Sequence, residues 1–101
     1  MARFRADLEH FLDVWVYISG GGQYLSDTRI PLLIQTLRAP LGISEDQVNR
    51  EVLKMRARVD AEGRVGFHEM LFRVMKRLYG SHELHEAVDM QIFEILTLNK
   101  F

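Results

Sequence analysis

The sequence predicts an all-α chain: two helix–loop–helix units followed by an additional C-terminal helix. Three observations carry this. Apolar residues recur at helical spacing in five segments, glycine-rich or turn-forming stretches separate them, and one of those stretches, RVDAEGRVGFHE at 58–69, has the outline of a metal-binding loop. With 101 residues, 48% of them apolar, the chain is large enough to bury one core without staples, so 1–101 is expected to be a single domain. The first unit spans 1–38, the second 44–80, and the additional helix 81–101.

The first helix is expected in RFRADLEHFLDVWVYI, where Phe4, Leu8, Phe11, Leu12, Trp15 and Ile18 form one apolar stripe. SGGGQ stops it, because consecutive glycines have too much backbone freedom to hold a helix. In YLSDTRIPLLIQTLR, Ser26 or Asp27 is expected to cap a second helix with Pro31 in its first turn, ending near Arg38 ahead of Pro40 and Gly42. Ser44 and Gln47 form a capping-box pattern for a third helix that turns Val48, Val52 and Met55 inward. FHEMLFRVMKRLYG reads as a fourth, with Phe67, Leu71, Val74, Met75 and Leu78 on one face and Gly80 as its stop. The fifth, beginning at Ser81, carries a stripe of Leu84, Val88, Ile92 and Ile95 or Leu96. The only strands expected are two short ones, Tyr24–Ser26 and Arg64–Gly66, pairing the loops.

Calcium loops converge oxygen ligands from places one, three, five, seven, nine and twelve, with glycine at six making the sharp turn. In 58–69 those ligand places hold Arg58, Asp60, Glu62, the Arg64 carbonyl, Gly66 and Glu69, while Gly63 makes the turn and Val65 takes the ribbon place. A guanidinium at place one supplies no oxygen and sets a permanent positive charge beside the ion. The candidate metal residues Asp60, Glu62 and Glu69 are therefore expected to belong to a degenerate loop that binds no calcium. The first loop is poorer still. With Leu25 at its ribbon place, Ser19, Gly21, Gln23 and Arg29 fall at or near the ligand places, the loop is one residue short, and the bidentate carboxylate is missing. Both units thus read as EF-hand-like but metal-free, and no cofactor is expected.

Several blocks together resemble a known family. They are FLDVW at Phe11–Trp15, LIQTLRAPLG at Leu33–Gly42, Met55 ahead of EGRVGF at Glu62–Phe67, LF at Leu71–Phe72 and KRLYGSHEL at Lys76–Leu84. In order and separation they are similar to the EF-hand-like domain that opens the cytoplasmic C-terminal tail of voltage-gated calcium and sodium channels. The resemblance implies a fragment of a membrane channel, with a pore helix upstream and a calmodulin-binding IQ helix downstream. It implies a regulatory scaffold on the cytoplasmic side of the membrane that packs against the IQ helix and intracellular linkers of its own channel and so biases gating, with calmodulin or a similar protein bound nearby. Trp15, Leu33, Leu71, Phe72, Leu84, Val88 and Ile92 are the expected core and interaction residues, and the C-terminal stripe could also drive self-association. The alternative is a free-standing regulatory light chain or calcium sensor of the calmodulin class that binds a target helix in a groove.

Other signals are weaker. HELHE places His82 and His85 three apart, not at the i, i+4 spacing of a catalytic zinc helix. IQTLR brings its arginine one place early for an IQ motif. Lys54, Arg56, Arg58, Arg73, Lys76 and Arg77 form a basic set that reads as a solvated face or as a patch facing acidic linkers or the anionic inner leaflet. A formal charge of −1 argues against a nucleic-acid partner, and the absence of cysteine excludes disulfides and thiolate metal sites. No leader and no membrane-spanning run is expected in the chain, and no nucleophile–base pair supports an enzyme.

Overall fold

The computed structural model describes residues 2–39 and 41–80, without the side chains of 2–4 and 79. These residues are mostly helical, with one two-stranded sheet: α1 Ala2–Ser19, β1 Tyr24–Ser26, α2 Ile30–Thr36, α3 Val48–Met55, β2 Arg64–Gly66 and α4 Phe67–Tyr79. The predicted Phe4 and the whole segment 81–101, with its stripe of Leu84, Val88 and Ile92, lie outside this description.

The end of α1 is dictated by glycine. Gly20 and Gly21 take φ of +70° and +85°, and the Gly21 N–H reaches back to the Val16 carbonyl at 3.1 Å, a six-to-one bond that satisfies an otherwise orphaned helix-end acceptor. The chain then enters β1, which pairs antiparallel with β2 in the register Tyr24 to Gly66, Leu25 to Val65 and Ser26 to Arg64. Two further backbone bonds flank this ribbon, Asp27 N–H to the Gly63 carbonyl at 2.9 Å and Phe67 N–H to the Gln23 carbonyl at 3.0 Å. Each helix–loop–helix unit thus supplies the hydrogen-bond partners that the other's loop lacks.

Two predicted caps are absent. Ser26 and Asp27 do not cap α2: Asp27–Arg29 form a single 3-10 turn, the Ser26 hydroxyl bonds the Thr28 hydroxyl at 2.9 Å, and α2 begins at Ile30 with Pro31 in its first turn. Nor does Ser44 begin α3. Its hydroxyl donates to Asp46 Oδ1 at 2.6 Å and its carbonyl accepts the Gln47 N–H at 3.0 Å, so 44–47 form a turn and α3 starts at Val48 with no side-chain cap. A carboxylate two residues away has captured the hydroxyl that a capping box requires.

The core lies between the two units. Leu8, Phe11, Leu12, Trp15 and Ile18 are buried from α1, Leu33 and Ile34 from α2, and Phe67, Leu71, Val74 and Met75 from α4, in one contiguous cluster. Phe11, Trp15 and Phe67 form an aromatic triangle with centroid separations of 6.1, 5.8 and 5.5 Å. Leu41 and Ile43, from the connection between the units, are buried as well. Phe72, Val52 and Leu78 differ from expectation in degree, being only partly buried against this cluster.

Candidate functional site

The loop at 58–69 is held by its own cations. Asp60 Oδ1 accepts the N–H groups of Glu62 and Arg64, each at 2.9 Å, and Oδ2 accepts Arg64 Nε at 3.0 Å. The Arg64 N–H bond, ahead of the Glu62 N–H and the guanidinium and against some burial, holds the Asp60 carboxyl below its ordinary range. The Arg64 carbonyl meanwhile accepts the Asp60 N–H at 2.9 Å, and the guanidinium lies 4.4 Å from the centre of the Tyr24 ring. Glu62 Oε2 stands 3.4 Å from Arg64 Nε.

At the far end of the loop, Glu69 Oε2 accepts the Arg58 N–H at 2.8 Å and Arg73 Nε at 2.9 Å. Burial pushes this carboxyl up, but the Arg58 N–H and the Arg73 guanidinium together outweigh it and leave it below the usual value. A cation entering the loop would have to displace Arg64 from Asp60 and Arg73 from Glu69. Among the described residues, no three His, Asp or Glu side chains gather as a metal site.

The first loop is organised by Trp15. Its ring is fully buried and its Nε1 donates to the Gly22 carbonyl at 2.8 Å, while Ser19 Oγ reaches the same oxygen at 3.3 Å. The Gly22 oxygen is therefore committed to the protein. Gly21 serves the helix stop, and Gln23 lends its carbonyl to α4.

A cationic groove opens between α3 and α4. It encloses about 410 Å³ and is lined by Lys54, Arg56, Arg73, Lys76 and Arg77, with Glu51 and Met55. Five of the six predicted basic residues meet here; Arg58 is not among the lining residues. Glu51 is shared, 3.8 Å from Lys54 Nζ and 3.6 Å from Arg77 Nε. Arg56 ends α3 at φ 52°, ψ 42°, the only non-glycine residue with positive φ among those described.

Of the predicted core and interaction residues, Trp15, Leu33 and Leu71 share the buried cluster and Phe72 sits at its margin. Leu84, Val88 and Ile92 lie outside the described residues, as does the HELHE stretch. Sequence reasoning missed the contact of His10 with Arg38. There His10 Nε2 accepts the Arg38 N–H at 3.0 Å across 28 residues, and no local pattern marks such a pair. Arg64 reads from the sequence as a second cation at the loop's rim beside Arg58; the structure shows that it closes the loop by bonding Asp60. No protein-family model matches this chain, and no curated protein is similar to it at a significant level.

Proposed function

We propose that this chain is a paired EF-hand-like module of the cytoplasmic tail of a voltage-gated cation channel, a scaffold that biases gating through protein–protein contacts and does not respond to calcium itself. The observation that carries the reading is the ribbon. Two helix–loop–helix units meet through Leu25 and Val65, the residues at the ribbon places of both loops, while the ligand places are occupied by internal hydrogen bonds. That combination suits a fold retained for its shape: the turn, the ribbon and the shared core persist where ion-binding chemistry has been replaced by arginine. The motif blocks between Phe11 and Leu84 supply the channel part of the reading.

The test is recovery of the parent transcript and electrophysiology of the protein it encodes. A pore-lining helix encoded upstream of Met1, together with altered inactivation when Trp15→Ala is placed in the complete channel, supports the proposal. A reading frame without pore sequence overturns it.

A further inference from the structure

Among the described residues, the groove between α3 and α4 carries a charge that its counterions do not balance. Even with Glu69, which bonds Arg73, counted beside Glu51, five cations face two carboxylates. Arg73 lies closest to the protein, with 21% of its side chain exposed and Arg77 at 32%, while Lys54, Arg56 and Lys76 extend into solvent around the groove. Arg56 and Lys76 form no ion pair among the described residues.

Helix dipoles account for part of this, because cations are favoured in the last turn, where Lys54, Lys76 and Arg77 stand. Arg56, as the C-cap of α3, gains from the same dipole, but the dipole does not explain its backbone. The residue occupies the left-handed position that ends a helix, where glycine is favoured and a bulky side chain is disfavoured. An arginine kept in that conformation at the rim of a cationic groove is strain located at a candidate binding site.

The size of the groove restricts what could neutralise it. At about 410 Å³ and open to solvent on one side, the groove is at the small end of ligand pockets and seats a compact charged group. Carboxylates bring one charge per side chain, so balancing these cations would take several of them spaced along a peptide. A phosphate group carries about −1.5 to −2 at neutral pH, and arginine forks match its oxygens bidentately. We propose that this groove is a binding site for a compact ligand bearing at least two phosphate groups, either a free phosphorylated polyol or the headgroup of a phosphorylated lipid. The site stands on its own geometry and does not depend on the channel reading.

The experiment is titration of the full 101-residue chain with inositol trisphosphate by calorimetry, beside flotation with three kinds of vesicle. These are phosphatidylcholine alone, phosphatidylcholine with phosphatidylinositol bisphosphate, and phosphatidylcholine with phosphatidylserine at matched charge. Saturable binding in the soluble arm identifies the free ligand, and retention by the bisphosphate vesicles beyond the phosphatidylserine control identifies the headgroup; either supports the site. Arg56→Gly and Arg77→Gln should each weaken binding about tenfold, the scale of one charge-assisted hydrogen bond. Glu51→Gln should tighten it by removing the resident counterion. Arg56→Gly relieves the left-handed backbone, so its thermal midpoint should be unchanged or raised, which separates lost binding from lost folding. No binding in either arm, affinity unchanged in Arg56→Gly, or equal competition by polyglutamate at matched charge would overturn the proposal.

Discussion

Trp15 carries two different loads on one side chain. Its ring contributes to the aromatic triangle with Phe11 and Phe67, and its N–H satisfies the Gly22 carbonyl at 2.8 Å. Trp15→Phe keeps most of the apolar surface and leaves that carbonyl with a weaker partner, which should cost about 1–3 kcal/mol. Trp15→Ala also opens a cavity and should cost about 3–5 kcal/mol. Thermal unfolding checks the order, since each kcal/mol moves the midpoint of a domain of this size by about 4–8 °C; equal midpoints for the two variants would refute it. His10 is the second case. Burial, and then the Arg38 charge, lower its pKa below the ordinary 6.5, and its Nε2 must be unprotonated to accept the Arg38 N–H. The contribution is therefore intact above pH 6.5 and is lost as pH falls from there through the lowered folded value, because the unfolded chain takes up a proton that the folded chain resists. Denaturant midpoints should decline as pH falls below about 6.5, and less steeply in His10→Gln. The lowered carboxyls of Asp60 and Glu69 act in the same direction at more acid pH, stabilising above their unfolded values and ceasing to do so once protonated.

Among the elements, the second loop shows why one repaired place is not enough. Arg58→Asp restores an oxygen at place one, but Arg64 still bridges Asp60 Oδ2 and Glu62 from within the loop. Extracellular calcium modules with most ligands intact bind at about 10⁻⁴–10⁻³ M, and the wild-type loop should fall beyond that limit. The expected order in calorimetry with millimolar calcium is no heat for wild type, weak binding for Arg58→Asp, and stronger binding for Arg58→Asp with Arg64→Thr. Micromolar binding by the wild type would sink the interpretation. The connection between the units has its own constraint at Gly42. A Cβ there would overlap the Leu37 carbonyl oxygen, which is backbone and cannot swing aside. Gly42→Ala should therefore destabilise by about 1–3 kcal/mol through overpacking, although the φ of Gly42 is not in the left-handed region. An unaffected thermal midpoint would mean that the linker shifts freely.

At the scale of the whole described fold, the two units do not have separate cores. Phe67 from α4 lies against Phe11 and Trp15 from α1, and the ribbon bonds run from one loop to the other. Neither unit can lose its structure without exposing the other's aromatic surface, so unfolding should be a single transition. Far-ultraviolet circular dichroism and Trp15 fluorescence should give coincident denaturant curves. Separated curves would show that one unit survives alone. Val65→Asp should lower both curves together, since it buries a charge in the ribbon that joins the units.

Local rules were sufficient wherever the chain's behaviour depends on neighbours in sequence. The glycine stop after Ser19, the pair of three-residue strands with Leu25 opposite Val65, the inward stripes of α1 and α4, and the loss of an oxygen ligand at Arg58 could all be read from spacing and residue type. The failures were of another kind. At Ser26 and Ser44 two local hydrogen-bonding options compete for one hydroxyl, and pattern alone does not say which wins. The clamp of His10 on Arg38, the bond from Trp15 to Gly22, the closing of the loop by Arg64 and Arg73, and the meeting of α3 and α4 cations around one groove were decided by the tertiary structure. Periodicity states which face of a helix turns inward, but not which groups from other segments meet it there, because that depends on how helices cross and where the chain returns.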